Sequence, residues 1–75
     1  MVIDMVVTKE EDGFNAEVPS LKGCESWAHS EDEAIENIVE LTRYYINLDY
    51  EIEVKVDLAR RSGKKKIYKL VFDKE

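Results

Sequence analysis

The sequence predicts an α+β domain: antiparallel strands in the order strand, strand, strand, helix, strand, strand, with one helix packed on a small sheet. Three observations carry this reading. Several segments are rich in β-branched residues or alternate apolar with polar residues, the signature of strands. One stretch after Ser30 has helical periodicity. The composition, 44% hydrophobic and 37% charged with three glycines and one proline, is that of a folded chain rather than a disordered tail. Seventy-five residues make one domain, 1–75, with no repeat or linker, and exclude a multidomain enzyme.

Residues 2–8 place Ile3, Met5 and Val7 on one face and Val2, Asp4, Val6 and Thr8 on the other, which predicts a first strand covered on much of both sides. Lys9-Glu10-Glu11-Asp12-Gly13 ends in Asp-Gly, a strong hairpin signal, and Phe14, Ala16 and Val18 then alternate in a second strand. Pro19 and Gly23 interrupt the pattern, and a third strand fits residues 24–29. Ser30-Glu31-Asp32-Glu33 reads as a capping box: the hydroxyl can accept from the amide three residues on, Glu33 can reach back, and the acids complement the helix dipole. The helix, about 17 residues long, would span about 25 Å. Its polar stripe of Glu36, Asn37, Glu40, Arg43 and Asn47 is narrow, and its apolar face is wide enough for a dimer contact or for cover by a following loop. Ile52, Val54, Val56 and Leu58 alternate with Glu51, Glu53, Lys55 and Asp57, predicting a half-buried fourth strand. Residues 60–65 read as a basic turn around Gly63. Residues 66–73 then form a fifth strand paired with the fourth, with Tyr68, Leu70 and Phe72 on one face.

Charge is divided along the chain. Residues 1–53 carry fourteen acids against Lys9, Lys22 and Arg43, a net of −11, while residues 54–75 carry eight Lys and Arg against Asp57, Asp73 and Glu75, a net of +5. An acidic body favours a basic protein partner over nucleic acid, whose binding depends on cations neutralising phosphates. Arg60, Arg61, Lys64, Lys65 and Lys66, with Tyr68 among them, keep a weaker nucleic-acid reading open beside a solvated hairpin tip or a surface neutralised by an acidic neighbour. No apolar run approaches the roughly 20 residues of a membrane span, and Met1-Val2-Ile3-Asp4 has no basic start before an apolar signal core, so a cytoplasmic protein is expected.

No catalytic centre is expected. Glu10-Glu11-Asp12 lies in a turn and Glu31-Asp32-Glu33 in a helix start, where carboxylates stay solvated. His29 has only Ser26 and Ser30 as neighbouring hydroxyls, and Ser30 is engaged in capping. Cys24 has no cation nearer than Lys22 and reads as a packed small hydrophobe. One Cys and one His cannot furnish a four-ligand zinc site, and the three scattered glycines make no phosphate cradle; neither metal nor cofactor is expected.

The string from Glu11-Asp12-Gly13-Phe14 through Val18-Pro19-Ser20-Leu21-Lys22-Gly23-Cys24 to Ser30-Glu31-Asp32-Glu33-Ala34-Ile35-Glu36-Asn37 resembles the HicB-like antitoxin family over about residues 2–47. Lys22 stands where that family usually has a second proline and Ala28 where glycine is common, and Trp27 is an unusual aromatic. The resemblance implies a truncated ribonuclease-H-like fold without that enzyme's catalytic acids. It further implies homodimers or larger assemblies, and a role in neutralising HicA, a small basic messenger-RNA-cleaving toxin. It makes Asp12, Gly13, Phe14, Pro19, Gly23, Cys24, Ser30, Glu33 and Ala34 structural signature residues. Asn37, also in the signature, either bonds the neighbouring loop or faces a partner. Residues 50–75 read as a hairpin in place of the DNA-binding segment many members carry. Glu33, Glu36 and Glu40 are the candidate contacts for a basic partner. The alternative is a solitary homo-oligomeric scaffold or ligand-binding module of the same fold.

Overall fold

The computed structural model describes residues 1–73. Its elements are β1 (Val2–Lys9), β2 (Phe14–Glu17), β3 (Glu25–Ala28), α1 (Glu31–Tyr45), β4 (Lys55–Ser62) and β5 (Lys65–Val71). The five strands form one antiparallel sheet in the order β3-β2-β1-β5-β4. The α+β class and the element order follow the sequence pattern.

The sheet has one covered face. Ile3, Met5 and Val7 lie opposite Leu70, Tyr68 and Lys66 in the β1–β5 register, and Ala16 continues this face onto β2. The backbone of α1 lies across β3, β2 and β1 and reaches β5 only through side chains, leaving β4 beyond it. The expectation that β1 is covered on both sides is therefore corrected: Met5 is fully buried, while Val2 on the other face is 57% exposed, because the single helix covers one side.

Side-chain chemistry sets the helix ends. Ser30 caps the start with extended φ and ψ, and its hydroxyl accepts from Glu33 N at 3.2 Å. At the other end Asn47 takes φ 53°, Asn47 N donates to Tyr44 O, and Leu48 N donates to Arg43 O. This is a Schellman motif, with the left-handed residue halting the helix and the apolar residue after it buried. Ala34, Ile38 and Thr42, four residues apart, are the buried stripe. Thr42 is satisfied there, donating to Ile38 O at 2.7 Å and lying 3.6 Å from Cys24 Sγ.

The first hairpin differs from the sequence expectation. Gly13 does not have positive φ, so Asp12-Gly13 is not the centre of a two-residue turn; the connection is closed by Glu10 N donating to Gly13 O at 2.8 Å. Glycine is needed for space instead: a Cβ would come 2.4 Å from Ala28 O and from the Trp27 ring. The fourth strand is also corrected. Its ladder begins at Lys55, so Ile52 and Val54 belong to the preceding segment and pack on the core from there. Seven of its eight residues are exposed, because α1 does not extend over them. Arg60 and Arg61 lie within β4 rather than in the basic turn, which is confined to Gly63 and Lys64. A register shift between Leu58 and Arg60 places Ala59 in a bulge.

Candidate partner-binding surface

Glu33, Glu36 and Glu40 lie three and four residues apart on α1, which brings them to one side of the helix. All three are exposed, and none makes an ion pair among the described residues. Like charges at this spacing repel one another, so an incoming cation relieves a strain that the helix itself leaves in place. Glu36 and Glu40 border a groove of about 390 Å³ between α1 and β4, with Ile35, Val39 and Val56 forming its apolar lining. Asn37 lines the same groove and its side chain makes no hydrogen bond to the described residues, so of its two readings the loop contact is not made. Glu33 sits one turn nearer the helix start, its amide engaged by Ser30.

The signature residues divide by what they touch. Gly13 makes room for the β3 backbone, Phe14 is half-buried on the core, and Cys24 and Ala34 are buried within it. Gly23 has φ +81°, a conformation other residues rarely adopt. Asp12 and Pro19 are exposed. Leu21 N donates to Val18 O across Pro19, and Cys24 N donates back to Leu21 O, so this connection is two consecutive turns.

The five basic residues singled out from the sequence do not share one surface. Lys66 pairs with Val7 and Arg61 with Lys66, which puts both on the helix side, whereas Lys65 pairs with Thr8 and Arg60 with Ile67, on the opposite side. Lys66 Nζ donates to both Glu31 carboxylate oxygens, at 3.0 and 2.8 Å, and the Tyr68 hydroxyl donates to the first at 3.2 Å. Burial, and then the Glu31 carboxylate, push the Tyr68 phenol above its usual 10.0, while Lys66 and Arg61 act in the other direction. This triad joins the helix start to β5 and was not legible in the sequence, where Glu31 read as a capping acid. A lysine and a tyrosine two residues apart on one strand were its only signal.

The groove wall supplied by Val56 was also missed. The excess apolar width of the helix at Ile35 and Val39 pointed to something lying beside it, without saying which strand.

No family model and no solved structure matches the chain. Relatives in two organisms are similar to it. A UPF0150 protein of Helicobacter pylori is 39% identical over 63 residues, 84% of this chain and 86% of that protein. A UPF0150 protein of Archaeoglobus fulgidus is 37% identical over 54 residues, 71% of this chain and 78% of that protein. With this identity spread over most of both chains, the protein belongs to the UPF0150 family.

Proposed function

We propose that the protein is a non-catalytic, HicB-like antitoxin-type protein that binds and neutralises a small basic HicA-like mRNA-cleaving toxin. The observation that supports this is the groove between α1 and β4, in which an apolar strip lies beside carboxylates that make no ion pair among the described residues. Such a surface suits a basic protein: apolar contact gives affinity and the acids steer the encounter. The resemblance of residues 11–37 to HicB-like antitoxins supplies the identity of that partner. The test is titration of a purified HicA-like toxin, following both binding and RNA cleavage. Binding should suppress cleavage, and reversing Glu33, Glu36 and Glu40 to Lys should slow association about tenfold or more at low salt. Unaltered cleavage at saturating protein would defeat the reading; unaltered affinity of the triple variant would remove the acidic helix face from it.

A second reading, a solitary homo-oligomeric scaffold, is favoured by the exposed edge of β4 with Leu58 43% exposed on it. In an antiparallel pairing of two β4 edges centred between Leu58 and Ala59, Asp57 of each copy faces Arg60 of the other. Sedimentation equilibrium would show a dimer mass in this case, reduced to the monomer by Leu58→Lys, and a monomer mass at high concentration would exclude it.

A further inference from the structure

The tip of the β4–β5 hairpin, the end of β1 and the start of α1 meet around a second cavity, of about 420 Å³. Lys9 N donates to Lys64 O at 2.8 Å, which ties the tip to β1 and fixes the cavity's outer wall. Four cationic residues, Lys9, Arg61, Lys64 and Lys66, line it. They are four of only eleven in a chain of net charge −6. Lys66 is neutralised by Glu31, the only acid in the lining among the described residues. Lys9, Arg61 and Lys64 make no ion pair among the described residues. Holding three unneutralised cations around one recess is unfavourable unless an anion joins them. The remaining walls are Val7 and the half-buried ring of Phe14, an apolar surface beside the charges. Gly63 completes the rim, with φ +61° and no heavy atom within 4 Å of where a Cβ would stand, so its backbone is open to close approach.

We propose that this cavity binds a nucleotide unit, its phosphate among Lys9, Arg61 and Lys64 and its base against Phe14. The arrangement joins the two contacts such a unit offers, a charge for cations and a flat face for an aromatic ring. A free nucleotide and the phosphorylated end of a single strand present the same chemistry. The site lies at the hairpin end of the sheet, and its lining shares no residue with the groove proposed for a protein partner. Either proposal can therefore fail alone.

The experiment is an amide chemical-shift titration of the intact protein with adenosine 5′-monophosphate, inorganic phosphate, adenosine, and a 5′-phosphorylated hexaadenylate. The expected result is saturable movement of Lys9, Gly63, Lys64 and Lys66 by the monophosphate, with Kd below ~1 mM. Phosphate alone and adenosine alone should each bind about tenfold or more weakly, since each keeps one of the two contacts. Arg61→Glu with Lys64→Glu, both at exposed positions, should lower affinity about tenfold or more without altering the melting temperature. Phe14→Leu should weaken the monophosphate and leave phosphate binding as it was. Equal affinity for monophosphate and hexaadenylate assigns the site to free nucleotides, and about tenfold tighter hexaadenylate binding assigns it to strand ends. Absence of movement at these amides with either ligand would overturn the proposal. So would movement that survives the double charge reversal, or phosphate binding as tight as the monophosphate.

Discussion

Beneath α1, the strands β1, β2 and β3 bury Met5, Val7, Ala16 and Ala28 against Ala34 and Ile38, whereas β4, joined to the same sheet by a ladder interrupted only at the Ala59 bulge, leaves seven of its eight residues exposed. Backbone hydrogen bonding is alike in the two regions, and side-chain burial is not. Because a backbone hydrogen bond replaces one made to water, its net contribution is small, and the covered region holds most of the stabilising apolar area. β4 is accordingly the part of the sheet whose side chains can change without unfolding it.

The largest effect should come from the covered side. Ile38→Ala, which empties a fully buried position, should cost about 2–5 kcal/mol in urea unfolding, enough to leave a domain this small largely unfolded. A cost within about 0.5 kcal/mol would mean that the helix is not what holds β1 to β3. Next, Gly13→Ala should destabilise by about 1–3 kcal/mol, because the added methyl meets the Ala28 carbonyl, a backbone atom that cannot turn aside. Full stability in that variant would show that β3 can shift.

A smaller effect is expected where the two regions meet, at Tyr68. Its phenol is held neutral in the folded protein, so its pKa there exceeds the unfolded value of 10.0. The corresponding stability is complete below that pH and is lost as pH rises through the folded value. Tyr68→Phe should flatten the fall of melting temperature above pH 10, at a cost near neutrality of about 0.5–1.5 kcal/mol for the bond to Glu31. The informative quantity is the difference between variant and parent curves. The smallest effect belongs to the edge: if β4 is uncovered in solution, Leu58→Ser should change the unfolding free energy by no more than about 0.5 kcal/mol. A larger loss would reveal that β4 is covered in solution, as pairing with a second copy would cover it.

Local chemistry made much of this fold legible. Ser30 and the acids after it announced the helix start, and Tyr68, Leu70 and Phe72 announced a strand with one buried face. The failures share a cause. Alternation at Ile52, Val54, Val56 and Leu58 reports which residues could face a core, but whether a helix lies over them depends on where α1 crosses the sheet. Likewise the basic residues 60–66 look continuous in one dimension, while strand pleating and the bulge at Ala59 send them to two faces. The acidic positions Glu33, Glu36 and Glu40 were readable because helical spacing alone brings them together; the cavity lined by Lys9, Phe14 and Arg61 was not, because it joins three distant segments. Gly13 was identified for the wrong reason, since the sequence shows its neighbours along the chain and not the carbonyl across from it.

The central pair of the sheet, β1 against β5, brings Asp4 beside Lys69 across 65 residues of chain. A ribosome making this protein releases β1 well before β5. Throughout that interval β1 has β2 on one side and no strand on the other, exposing its backbone N–H and C=O groups along an open edge. Closure then depends on a contact between segments far apart in sequence, the slowest kind to form. The newborn protein is thus vulnerable to mispairing until the β4–β5 hairpin, which adds little to the core through β4, closes that gap.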